Sequence, residues 1–199
     1  LITYGLQEAR LRIAFFAPAQ GERLPVGTAG VYLGGGYPEL HAAAIAANAG
    51  FHADLRALHA RGAPILAECG GFMALVEALV DAEGRRWPMA GLVPGVVRMT
   101  PRLAALGYRR AEALRPNLLA DSGVLLRGHE YHYSVWEPPE PSVANAWSLA
   151  GALSGSPSVP GGHVDGNLLA GYLHIHLGQD PALAARLVAR LRPAVAPAD

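Results

Sequence analysis

The chain has 199 residues, is 51% hydrophobic and carries 16 basic against 16 acidic residues. It is long enough for one sizeable core, and its charge gives no support to a nucleic-acid or anionic-membrane partner. All 16 bases are Arg, which excludes a P-loop lysine, a Schiff-base lysine and a Ser-Lys dyad. A single Cys excludes an internal disulfide and points to a reducing, cytoplasmic compartment, no Cys cluster suggests a metal site, and no apolar run reaches the length of a membrane span.

In chain order, Leu11 to Phe16 and Gly30 to Leu33 read as β-rich runs joined by a polar connection over Pro18 to Pro25. Pro38 to Asn48 and Phe51 to His59 read as helix, with a break at Gly50 and a stop near Gly62. Ala63 to Ala67 is a compact buried strand. After Gly70 and Gly71, the spacing of Phe72, Leu75, Val76, Leu79 and Val80 predicts a helix. From Trp87 to Ser134 strands dominate, clearest at Tyr108 to Ala113 and His129 to Ser134. Pro138 to Pro141 and Ser154 to Gly162 read as loops, Leu168 to Leu177 as the last strong strand, and Pro181 to Leu191 as a helix. Alternation of apolar runs with helical patterns in the first half predicts a mostly parallel sheet flanked by helices. One domain over 1–193 and a tail over 194–199 account for the chain, which opens abruptly at Leu1 and reads as a piece of a longer polypeptide.

The chemistry concentrates in four stretches. Ala67-Glu68-Cys69-Gly70-Gly71 has the form of a nucleophile elbow between strand and helix, where a strained turn needs small neighbours and the helix N-terminus favours a thiolate and an oxyanion. A lone Cys is more often a buried structural residue; the elbow context reverses that preference. A thiolate needs a base, and Tyr172-Leu173-His174-Ile175-His176 places His174 and His176 on one side of a strand, so either could serve. The turn Leu33-Gly34-Gly35-Gly36-Tyr37-Pro38-Glu39 could cradle a phosphate or equally offer backbone amides to an oxyanion. Arg127 to Ser134, which includes Glu130, His132, Tyr133 and Ser134, is dense in polar and aromatic groups, as at a site or an interface.

Taken in register, these stretches resemble the C-terminal amidotransferase domain of the cobyrinic and hydrogenobyrinic acid a,c-diamide synthases. That resemblance implies a flavodoxin-like, class I glutamine amidotransferase fold, with its first strand missing ahead of Leu1. It implies Cys69 as nucleophile and His174 as base, with Gly35, Gly36 and Gly70 forming the oxyanion hole and Tyr133 and Ser134 near the glutamine backbone. Where ordinary class I enzymes orient the imidazole with a Glu two positions after the His, this chain has His176, which suggests a Cys-His dyad assisted by another group; Glu68, Glu130, His132 and His176 itself are the nearby candidates. L-glutamine is the implied substrate, and the implied activity is that of a carbon-nitrogen ligase of cobalamin biosynthesis. The family has an N-terminal ATP-dependent synthetase domain, which would bind ATP, Mg and the corrin precursor; no cofactor is expected in this domain, and a homodimer is a further open expectation. Competing readings are a cobyric acid synthase, a nickel-sirohydrochlorin relative, a stand-alone flavodoxin-like cysteine hydrolase and a catalytically silent binding domain.

Overall fold

The computed structural model describes residues 11–139, 144–153 and 155–191. Two sheets organise them. The larger has eight strands in the order β1 (Val31–Leu33), β2 (Ile65–Glu68), β11 (Leu168–Gly171), β10 (Ser158–Asp165), β9 (Asn145–Gly151), β6 (Ala105–Ala113), β7 (Leu125–His132) and β12 (His174–Ile175). The smaller runs β4 (Arg86–Pro88), β3 (Val76–Val80), β5 (Val93–Met99), β8 (Ser134–Glu137). Helices α1 (Ala42–Ala47), α2 (Ala49–Ala60), α3 (Gly70–Met73) and α4 (Pro181–Arg190) complete the regular structure, with short 3₁₀ turns between.

Strand β12 reaches the far edge of the larger sheet only three residues after β11 leaves its centre, and a chain spans at most about 3.6 Å per residue. The sheet must therefore roll over to bring β7 and β12 back beside β2 and β11. One hydrophobic cluster lines the side reached by Leu66, Trp147, Leu169, Leu173 and Ile175; the other, with Phe51, Leu55, Ile65, Phe72 and Leu168, lies under α2. Successive residues of β2 and β11 point alternately into the two clusters, so both strands are buried throughout. Each fully buried large side chain, such as Phe51 or Leu168, contributes about 1.5–3 kcal/mol relative to exposure.

The α/β architecture expected from the sequence is present, but parallel pairing is confined to β1/β2, β2/β11 and β3/β5, and the remaining pairs are antiparallel. The mostly parallel expectation holds only for the β1, β2, β11 group, which leads into the elbow, and for β3/β5. Leu11 to Phe16 forms no strand; the segment is fixed by Phe16, whose ring tilts against Phe51 at 5.9 Å, rather than by a ladder. The helical break falls at Asn48, not Gly50, because the Asn48 carboxamide oxygen accepts the Phe51 N–H at 3.0 Å and caps α2.

The run after Gly71 is a single helical turn followed by β3, not a long helix. Phe72, Leu75, Val76, Leu79 and Val80 are all buried, and with burial on every side the helical spacing carries no directional information. Part of the expected Ser154 to Gly162 loop is strand β10, in register with β9 through Ser158↔Ala150 and Gly161↔Trp147. The expected strand Leu168 to Leu177 is broken into β11, β12 and a 3₁₀ turn at Leu177–Gln179. Helix α4 starts as anticipated, with Asp180 capping the Ala182 N–H at 2.8 Å and Pro181 at its first position. The expected tail over 194–199, part of the Pro138 to Pro141 loop and the chain ahead of Leu11 lie outside the described residues.

Candidate active site

Cys69 follows β2 directly and stands at the N-cap of α3 with φ 49° and ψ −108°, the only positive φ at a non-glycine position among the described residues. Such a conformation costs about 1–3 kcal/mol and persists only where the surroundings impose it. Here they do: the Cys69 N–H donates to the Gly171 carbonyl at 2.8 Å, and the Cys69 carbonyl accepts from Met73 at 3.0 Å. The turn is also pressed against the glycine loop after β1. A Cβ at Gly70 would stand 2.6 Å from the Gly36 carbonyl oxygen and 2.7 Å from its nitrogen, so only glycine allows this approach, and the Gly71 N–H donates to the Gly34 carbonyl at 2.9 Å. Gly36 and Gly70 therefore lie side by side, and Gly70 directly follows the nucleophile candidate Cys69. Cys69 is 8% exposed, and its Sγ lies 3.8 Å from the Tyr131 carbonyl oxygen.

His174 arrives on β12, opposite His129 of β7, and the two imidazoles stack with centroids 4.7 Å apart and planes 10° from parallel. From the other side the glycine loop closes in: a Cβ at Gly35 would stand 2.6 Å from His174 Cε1. The third contact is Glu68, 5% exposed, whose Oε2 lies 3.7 Å from His174 Nδ1. The same carboxylate accepts the Tyr32 hydroxyl at 2.8 Å and the Ile175 backbone N–H at 3.0 Å. The Cys69 thiol first, and Glu68 second, push the His174 pKa up to about 9 against the opposing effect of burial. His129 moves the other way, down, through burial and then through the neighbouring His174.

The Arg127 to Ser134 stretch divides by strand alternation. His129 faces His174, while Glu130 and His132 fall on the opposite face of β7. There Glu130 accepts from Arg109 at 2.7 Å, and His132 stacks on Tyr172 with centroids 3.7 Å apart. Burial lowers the His132 pKa and raises that of Tyr172. These side chains border a cavity of about 470 Å³ between the two sheets. Ser134 is 1% exposed and its hydroxyl is engaged with the Tyr172 hydroxyl at 2.7 Å, so its side chain is turned inward; Tyr133 is exposed and packs edge-on against Tyr131. β12 ends at Ile175, and His176, still extended, is exposed at the head of the 3₁₀ turn, whereas His174 is half-buried.

The structure thus brings together Cys69, His174, Gly35, Gly36, Gly70 and Glu68, and places Glu130, His132, Ser134 and His176 elsewhere. It adds Tyr32 and His129, neither of which was singled out from the sequence. His129 lies within the Arg127 to Ser134 stretch and Tyr32 in the strand run just before the glycine turn, and alternation from a known strand register would have found them. Among the described residues, no group of three or more His, Cys, Asp or Glu side chains is arranged to hold a metal ion, and no helix is long and apolar enough to cross a membrane.

Comparison with known proteins agrees with this arrangement. Residues 5–182 match the model of the CobB/CobQ-like glutamine amidotransferase domain. The chain is 41% identical over 187 residues to cobyrinate a,c-diamide synthase of Salmonella typhimurium, covering 94% of this chain and 40% of that protein. It is 37% identical over 182 residues to the cobyrinate a,c-diamide synthase of Herminiimonas arsenicoxydans, covering 92% and 39%. It spans about two fifths of the length of these relatives. A solved glutamine amidotransferase superimposes with a TM-score of 0.63 at 16% identity, covering 95% of this chain and 91% of that one. The PurLQS structure from Thermotoga maritima gives 0.60 at 16% identity, covering 86% and 83%. With residues 5–182 matched and relatives of about 40% identity, the chain belongs to the CobB/CobQ-like glutamine amidotransferase domain family.

Proposed function

We propose that this domain hydrolyses L-glutamine through a Cys69 thioester and supplies the ammonia for amidating the a and c carboxylates of cobyrinic or hydrogenobyrinic acid. The observation that carries the reading is the strained Cys69 beside an imidazole whose proton affinity is raised by the thiol itself. His174 takes the thiol proton, and the thiolate attacks the glutamine amide carbon. The Gly36 and Gly70 amides hold the oxyanion, and His174 returns the proton to the departing ammonia. Water then attacks the thioester, giving up a proton to His174, and glutamate leaves as Cys69 is regenerated.

The acceptor chemistry belongs to the part of the relatives that this chain does not span. An ATP- and Mg-dependent synthetase domain of the same polypeptide would activate the corrin carboxylates, since this chain has no lysine for a P-loop. Its docking ground would be the sheet face that carries the base. The register Tyr108↔His129↔His174 and Leu106↔Tyr131 puts two exposed apolar residues, Tyr108 at 77% and Leu106 at 64%, on the same face as His174. The name shared by the Salmonella and Herminiimonas relatives favours the a,c-diamide product over the cobyric acid alternative. A cytoplasmic location fits the single reduced Cys.

Mass spectrometry of the full-length protein after treatment with 6-diazo-5-oxo-norleucine tests the reading. One adduct on Cys69, formed far more slowly in His174→Ala and little changed in His176→Ala, is the expected outcome; absence of an adduct on Cys69 overturns it.

A further inference from the structure

We infer that Glu68 is the orienting acid of His174 and that Tyr32 holds Glu68 in that task, so that the nucleophile and the acid serving its base are consecutive residues. The inference rests on the glutaminase reading and assigns the third member of its catalytic set. In the sequence, the position two residues after His174 is occupied by another histidine, and the structure turns that residue into solvent.

The geometry supplies an acid from elsewhere. Glu68 is the last residue of β2, and strand alternation puts it on the same face as Leu66, at the mouth of the apolar interior of the rolled sheet. A carboxylate there must have all its partners provided. Oε1 takes the Ile175 N–H, Oε2 takes the Tyr32 hydroxyl, and the remaining direction of Oε2 faces His174 Nδ1 at 3.7 Å. That separation is an ion pair rather than a short hydrogen bond, as is common before substrate closes a site. With Nδ1–H turned to Glu68, Nε2 is the nitrogen that receives the Cys69 proton. The proton moves from Sγ to Nε2, the imidazolium stands between thiolate and carboxylate, and Nε2–H later protonates the leaving nitrogen as its bond to carbon breaks. Glu68 keeps its charge throughout and acts only through the imidazole.

Glu68 also clasps β12 to β2 through Ile175, so loss of activity on its removal could come from structure alone. Glu68→Gln separates the two roles, because the amide oxygen still accepts the Ile175 N–H while the charge facing Nδ1 is gone. In the full-length protein, the pH profile of Cys69 alkylation by iodoacetamide is followed by peptide mass spectrometry, next to glutaminase kcat and KM.

For Glu68→Gln we expect kcat to fall about 10²-fold with KM within about threefold, and the acid limb of the alkylation profile to move to higher pH as the thiolate loses its imidazolium partner. Tyr32→Phe should move both in the same direction, by about two- to fivefold in kcat, without touching the Ile175 clasp. An unchanged alkylation profile in both variants overturns the inference, and so does an unchanged profile in Tyr32→Phe should Glu68→Gln fail to fold. If the alkylation limb shifts as expected but the wild-type protein turns over no glutamine, the positioning role stands and the glutaminase reading falls.

Discussion

His129 and His174 stack face to face at 4.7 Å across neighbouring strands, and their proton affinities are displaced in opposite directions. The pair works because it is unequal. Burial, then the neighbouring His174, lowers the proton affinity of His129, and its ring lies flat against that of His174 and fixes its plane. His129→Ala should lower glutaminase kcat about tenfold by freeing the ring of His174, and His129→Phe, which keeps the stacking surface, should recover most of the loss. Steady-state kinetics of the two variants would show it; equal defects in both would mean that stacking contributes nothing.

Stability should follow the same asymmetry. His174 has a folded pKa of about 9 against 6.5 for the free side chain, so its contribution is complete below about pH 6.5 and disappears as pH rises through about 9. His129 and His132 are lowered, so theirs is present above about pH 6.5 and is lost as pH falls through their folded values. The difference in melting temperature between wild type and His174→Gln, scanned from roughly pH 6 to 10, should shrink steadily toward alkaline pH. A constant difference would mean that His174 carries no extra proton near neutrality.

Gly70→Ala places a methyl group on the Gly36 backbone at 2.6–2.8 Å, where neither partner is a flexible side chain. We expect a loss of about 1–3 kcal/mol in unfolding free energy by denaturant titration. Labelling of Cys69 by a glutamine analogue should disappear with it, since the loop that carries Gly35 and Gly36 must move away.

Charge on the exposed sheet face should uncouple the two halves of the reaction. In the full-length enzyme, Leu106→Asp with Tyr108→Asp is expected to leave glutaminase activity within about twofold while lowering glutamine-dependent corrin amidation about tenfold or more. Amidation driven by added ammonium salts should stay near wild type. Equal loss with both nitrogen sources would place the damage in the fold rather than in docking.

The strand that ends at Cys69 and its sharp turn were legible because local rules dictate both: a short β-rich apolar run, small residues and a helix start. The same was true of Asp180 and Pro181 at the head of α4. Less legible was the run from Phe72 to Val80, where burial on all sides erased the polar face that distinguishes a helix from a strand. Sheet direction was misjudged because the two-residue turn at Gly166-Asn167, which folds β10 back on β11, lay within a stretch read as loop and strand, and because the β6/β9 pairing joins strands that are not consecutive in the chain. Glu68 could be named from its place in the elbow motif, but its role could not. That role depends on β12 returning to the end of β2, and no local pattern records the return.

The roll of the larger sheet gives the site an unusual dependence on the rest of the molecule. Nucleophile and base lie far apart in the chain, Cys69 just after β2 and His174 on β12, towards opposite ends of the strand order of one folded surface, so the catalytic set is assembled at a seam. Only a few groups stitch it: the Ile175 N–H on Glu68, the two-residue ladder of β12 on β7, and the stacked imidazoles. A transient parting there would withdraw Ile175 from its cluster and disperse the catalytic groups while leaving the cluster under α2 intact. Amide exchange at Ile175 and loss of enhanced thiol reactivity should then report one and the same opening, well below the free energy of global unfolding.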